Sequence, residues 1–191
     1  MKAIIVKSAL SLTENSLKGH VWDMQRHLAT PDSMYGAAEL VLKSHPNLMG
    51  CGMAFRPDFY PEKGRLFEPY VFKRQGQYVR RQLGGPDHDY TKMPFFKNTL
   101  ERNAPVWSDA YYDSVSHRNM VTFSIPIFDE QEEVAAVLGV DVDADWLGDT
   151  LNYRHIYPSS YDFLLTEAGQ LIAGPKLTRE KKRQGCSFSS R

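Results

Sequence analysis

The 191-residue sequence predicts an α+β fold, with helices first and antiparallel strands after them. Two observations carry this. Residues 1–28 repeat apolar or small side chains at helical spacing, and from Leu48 onward apolar residues fall in short runs broken by Gly, Pro and Asp. The two textures do not interleave, which argues against βαβ winding.

The helical stripe is Ala3, Val6, Leu10, Leu17, Val21, Met24 and Leu28, with Thr13 filling the one gap. Its 3-4 spacing is heptad-like and predicts a long amphipathic helix, which Gly19 weakens. Thr30-Pro31-Asp32-Ser33 stops that helix and caps a second one, running from about Asp32 to Ser44 and ending before Pro46. Leu48–Arg56 reads as a strand in which Gly50 and Gly52 allow close packing. A Pro/Gly/Asp-rich loop covers 57–66, and a hairpin follows from 69–73 and 78–83 around Gly76. Gly84-Gly85-Pro86-Asp87 is a loop, 93–102 a short helix, and 106–112 a strand. In 119–128, Val121, Phe123, Ile125 and Ile127 share one face while Thr122, Ser124 and Pro126 share the other. After a turn at 129–133 comes a strongly apolar strand, 134–142, and a short helix at 145–152. A linker at 157–160 leads to a hairpin at 161–166 and 170–173 over Ala168-Gly169. The expected sheet has about five strands, one face covered by the long helix.

A content of 42% hydrophobic and 24% charged residues excludes disorder, a collagen-like chain and a disulfide-dense mini-protein. The 23 basic and 23 acidic residues are unevenly placed: 176–191 holds six basic and one acidic, leaving 17 and 22 for the rest. A net-negative body has no general attraction for nucleic acid. Cys51 and Cys186 are too far apart for a zinc or CxxC motif. No apolar run approaches the ~20 residues of a membrane span, and Ala3-Ile4-Ile5-Val6 is too short for a signal-peptide core.

Asp141-Val142-Asp143-Ala144-Asp145 alternates carboxylates, but Trp146 and Asn152 stand where a calcium loop needs Gly and Glu. Asp143 or Asp145 is expected to cap the next helix. Asp141 ends an apolar strand and must find a partner, either an internal donor or a ligand cation. No HExxH, GxSxG or P-loop occurs. Tyr90, Phe95, Phe96, Trp107, Tyr111 and Tyr112 form an aromatic concentration that suits either plain core or an aromatic-walled cavity. Alternation puts Trp107, Asp109 and Tyr111 on one face, and Thr122 and Ser124 supply polar groups inside the sheet.

Five segments stand in family order: Ala54-Phe55-Arg56-Pro57; Pro69-Tyr70-Val71; Trp107-Ser108-Asp109-Ala110-Tyr111; 120–127; and 137–142. Together they resemble a Cache sensor domain, the double-Cache or PDC-type extracytoplasmic module of bacterial transmembrane receptors. The resemblance covers roughly 1–175. It implies a long N-terminal helix, a PAS-like antiparallel lobe, and the start of a second, membrane-proximal lobe. The implied organisation is 1–45 as N-terminal helices, 46–153 as the membrane-distal ligand-binding lobe, 154–175 as part of the proximal lobe and 176–191 as a basic tail. In amino-acid-binding members an Arg-Pro-Trp-Tyr-like stretch, a Tyr and an Asp line the pocket. Here Met93-Pro94-Phe95-Phe96, Tyr111 and Asp141 match them, so the carboxylate-gripping Arg is replaced by Met93.

The expected function is therefore small-molecule sensing without catalysis or cofactor. The expected ligand-binding residues are Tyr90, Met93, Phe95, Phe96, Tyr111, Thr122 and Asp141. The ligand bears an amine or hydroxyl, and the domain pairs as a homodimer through its first helix. No metal or nucleic acid is expected, and the membrane is met only through helices outside this chain. The expected location is periplasmic. The alternatives are a metal-assisted hydrolase using Asp141 and Asp143, or a dimerisation module without ligand.

Overall fold

The computed structural model describes residues 2–113, 116–151, 162–165, 169 and 171–174. The expected linker at 157–160 and the basic tail lie outside them, as do the side chains of Ala3 and Val6.

The first helix, α1, spans Lys2–Arg26, and the second, α2, Met34–Ser44. A 3-10 turn at Pro31–Ser33 joins into α2, and Thr30 makes no side-chain capping bond there. Its hydroxyl instead donates to the His27 carbonyl, closing the end of α1. Thr13, Leu17 and Met24 of the predicted stripe are fully buried, and Leu10 and Val21 pack against the same core.

Seven strands form one sheet: β1 (Leu48–Phe55), β2 (Pro69–Arg74), β3 (Gln77–Gln82), β4 (Val106–Trp107), β5 (Tyr111–Asp113), β6 (Arg118–Phe128) and β7 (Val134–Asp143). The order is β3-β2-β1-β7-β6-β4, with β5 also on β6, and every printed pairing is antiparallel. The count exceeds the expected five partly because the strand expected over 106–112 breaks into β4 and β5. The β2–β3 hairpin turns through Gln75 and Gly76, both at positive φ, as a tight antiparallel connection requires. Helix α3 (Pro94–Arg102) ends on Asn103 in the left-handed conformation, whose amide donates to the Leu100 carbonyl. Helix α4 (Ala144–Leu151) is capped by Asp143, whose Oδ1 accepts from the amides of Asp145 at 2.8 Å and Trp146 at 3.3 Å. A two-stranded ribbon, β8 (Leu164–Leu165) with β9 (Leu171–Ala173), carries the paired part of the expected C-terminal hairpin.

Strand alternation gives the sheet two unlike faces. Cys51, Met53, Phe55, Val121, Phe123, Ile125, Leu138 and Val140 point to the side of α1 and α2 and make the main core. The other face carries Gly50, Gly52, Ala54, Thr122, Ser124, Gly139 and Asp141 at the alternate positions, and α3 covers part of it. Glycines leave a hollow where an ordinary strand would present side chains. The β1–β7 register slips between Leu48 and Gly50, a bulge that keeps Leu48 on the core side and sets Gly50 opposite Asp141.

Candidate functional site

The hollow on the small-residue face is a cavity whose floor is Gly52 and Gly139, direct neighbours across β1 and β7. It offers about 40 Å³ to the centre of a water-sized sphere, room for roughly three waters' worth of small-ligand atoms. Tyr70 lies along the β1 glycines. A Cβ on Gly50 would stand 1.9 Å from its hydroxyl oxygen and one on Gly52 2.7 Å from its ring, so only glycine admits this approach.

Asp141 is the chemical centre. Its carboxylate is buried and accepts three hydroxyl hydrogen bonds: Tyr70 Oη to Oδ2 at 2.7 Å, and Thr122 Oγ1 at 2.6 Å and Tyr111 Oη at 3.3 Å to Oδ1. Tyr111 and Thr122 also touch each other at 2.8 Å. None of the ion pairs among the described residues involves Asp141. Burial pushes its pKa up to about 6, although the hydroxyls of Thr122, Tyr70 and Tyr111 pull against that. The same burial, beside the Asp141 charge, holds both tyrosines protonated well beyond their ordinary range. The network is thus a set of neutral donors around one costly negative charge, and a bound cation is what would complete it.

Each member is placed by its strand. Ser108 fixes Thr122: its amide donates to the Thr122 carbonyl at 2.8 Å, and its hydroxyl accepts the Thr122 amide at 2.9 Å. Ser124, the other buried polar residue of β6, docks α3 instead, with its hydroxyl 2.9 Å from that of Thr99.

Met93, Phe95, Tyr111, Thr122 and Asp141 line this one cavity. Tyr90 and Phe96, expected beside them, do not. They sit behind its wall in a small apolar cluster with Ala54 and Val137, and the Tyr90 hydroxyl donates to the Phe55 carbonyl at 2.6 Å. Trp107 departs from the expected alternation as well. The chain leaves the strand between β4 and β5, so Trp107 packs on Phe123 in the main core and donates to Glu14 of α1, while Tyr111 enters the cavity. Asp143, the second carboxylate of the hydrolase alternative, is engaged in capping α4 and in an ion pair with Arg118.

Sequence reasoning missed Glu68, Tyr70, Leu83, His88 and Asp113, which complete the lining. One signal was available: Gly50 and Gly52 share parity in one strand, and Gly139 shares parity with Asp141 in another, so each strand has a face of small residues. Glu68 is buried, with His88 Nε2 3.2 Å from its Oε2. Burial raises the Glu68 pKa, and the Glu68 carboxylate raises that of His88. Cys51 points to the opposite face, where burial holds its thiol protonated.

Residues 36–149 match a family model described as "Methyl-accepting chemotaxis protein-like, first PDC sensor domain". The chain belongs to this PDC sensor family. Solved structures share the fold of this PDC domain. The ligand-binding domain of the Campylobacter jejuni chemoreceptor Tlp3 in complex with L-valine superposes with a TM-score of 0.71 at 16% identity, covering 98% of this chain and 71% of that one. The same receptor domain with isoleucine bound gives 0.66 at 16% identity, covering 99% and 71%. The extracellular domain of a histidine kinase, soHK1S-Z6, gives 0.66 at 21% identity, covering 91% and 73%. No curated protein matches the sequence. The family is one of sensor domains of bacterial signal transduction, and its description names no catalytic activity. Among the described residues no helix is long and apolar enough to cross a membrane.

Proposed function

We propose that this PDC domain is the periplasmic, membrane-distal sensing lobe of a bacterial transmembrane receptor, and that its cavity takes a small ligand through an amine or hydroxyl at Asp141. The observation that supports this is the Asp141 carboxylate itself: buried, held by three hydroxyls and paired with no cation among the described residues. An ammonium group supplies the missing charge, and Met93 with Phe95 gives its carbon chain an apolar wall. The Tlp3 structures contain L-valine or isoleucine. This cavity could meet the ammonium end of such a molecule but not its carboxylate in the same way, because no Lys or Arg is among its lining residues. Free α-amino acids should therefore bind weakly. Ligand binding would bias the receptor by differing in affinity between two arrangements of the lobes.

A melting-temperature screen against primary amines, polyols, amino acids and organic acids tests the reading. A ligand present at 100 times its dissociation constant stabilises by about 2.7 kcal/mol, a shift of several degrees. Stabilisation by amines or polyols supports it. Stabilisation by organic acids alone, or by none of the panel, contradicts it.

A further inference from the structure

The chain between β3 and α3 forms one wall of the cavity. Leu83 and His88 are in the lining, while Pro86 and Asp87 between them are exposed. Both ends of this stretch are anchored. The Leu83 amide donates to the Glu68 carbonyl at 3.0 Å, and the Gln82 side-chain amide donates to the carbonyls of Leu66 and Gly84. At the far end, Tyr90 is fully buried and its hydroxyl donates to the Phe55 carbonyl. Between these anchors Gly85 and His88 close a turn on each other, each amide donating to the other's carbonyl, at 3.2 and 3.1 Å. What ties this turn to the rest of the cavity wall is a side-chain ion pair, His88 Nε2 to Glu68 Oε2 at 3.2 Å. Glu68 is buried, and no hydrogen bond from another donor among the described residues reaches that oxygen. The imidazolium therefore supplies the charge that offsets the buried carboxylate.

We infer that the Glu68–His88 pair is a protonation-controlled latch on the cavity, holding the 85–88 turn against the wall while His88 is charged and releasing it when His88 is neutral. The Glu68 carboxylate, joined by Asp113 of β5 and Asp89 beside it, outweighs burial and raises the His88 pKa above the ordinary 6.5. Burial raises that of Glu68 above its ordinary value, so the pair is charged between the two raised values. As pH rises through the upper one the imidazole loses its proton, and Glu68 is left buried without a counter-charge. Contact with water then stabilises that carboxylate better than the closed wall does. Asp141, with a pKa of about 6, has already ionised by then, and burial keeps Tyr70 and Tyr111 protonated. A Cβ on Gly85 would meet nothing within 4 Å, so the turn has room to pivot there. Access to the cavity, and with it to Asp141, therefore increases with pH.

NMR of the ligand-free domain with methyl-labelled methionine and a soluble gadolinium chelate, from pH 6.5 to 9.5, tests this. Met93 lines the cavity, and Met120, 1% exposed, is the buried control. Paramagnetic relaxation of the Met93 methyl should rise several-fold in step with the titration of the His88 ring, while that of Met120 stays flat. His88→Gln and Glu68→Gln should each hold Met93 at the high value throughout. Melting curves establish that each variant is folded; if Glu68→Gln does not fold, His88→Gln alone decides. A Met93 signal that stays flat while His88 titrates overturns the latch. So does a pH-dependent rise that persists in His88→Gln, because another group then controls access. With no amine present, either of those failures leaves the Asp141 reading standing.

Discussion

At the residue scale the decisive group is Asp141, because its charge is both the proposed recognition element and a cost to the fold. Its pKa of about 6 lies above the unfolded value of about 3.9. The folded chain thus holds the proton more tightly, and the stability contributed by protonation is present below pH ~4 and lost as pH rises through about 6. The difference amounts to about 3 kcal/mol near neutral pH. Asp141→Asn removes the charge while keeping an oxygen acceptor for the hydroxyls. It should melt at or above the parent at pH 7.5, and the gap should narrow as pH falls to 5. A variant that melts well below the parent at every pH would mean that the charge itself stabilises the hydroxyl network. Gly50 makes the complementary prediction. Gly50→Ala drives a methyl into the Tyr70 hydroxyl, costing about 1–3 kcal/mol in overpacking, and adding Tyr70→Phe should restore part of it in a denaturant titration.

At the element scale, most of what the sequence made readable was periodic. The stripe of α1, the alternation of β6 and the apolar run of β7 each stand as expected, because a buried face imposes its period directly on residue choice. What was not readable depended on breaks in period. Nothing between Val106 and Tyr111 signals that the strand interrupts, and so Trp107 and Tyr111 end on opposite faces of the sheet. The partition of Thr122 into the cavity and Ser124 onto α3 is likewise a fact of tertiary contact, not of pattern. Thr99→Val removes two hydroxyl contacts, to the Phe95 carbonyl and to the Ser124 hydroxyl, and should loosen α3 by about 1–3 kcal/mol, read by denaturation. For α1, helical position puts Leu12, Gly19, Trp22 and Arg26 on the side away from Leu17 and Met24. Leu12 is 55% and Trp22 66% exposed, whereas Leu10 packs inward. If the domain pairs through α1, this outer face carries the contact. Leu12→Lys with Trp22→Lys should turn a dimer into a monomer in sedimentation without lowering the melting temperature. A parent that sediments as a monomer at high micromolar concentration would remove pairing through α1.

At the scale of the whole molecule, the sheet separates the main core from the proposed recognition site. One face buries the apolar core under α1 and α2, and the other gives up packing to three glycines and a buried carboxylate. The fold class followed from pattern and the family from ordered motifs, but the cavity gathers Glu68, Tyr70, His88 and Asp113 from separate strands and loops that sequence spacing cannot bring together. The most direct test is a pair of calorimetric titrations, with the tightest-binding amine of the panel, on the parent domain and on Asp141→Asn at pH 7.5. Loss of a buried charge-assisted contact costs about 3 kcal/mol, so the variant should bind roughly a hundredfold more weakly while its melting curve shows an intact fold. Unchanged affinity in a folded Asp141→Asn domain would place recognition elsewhere and contradict the account.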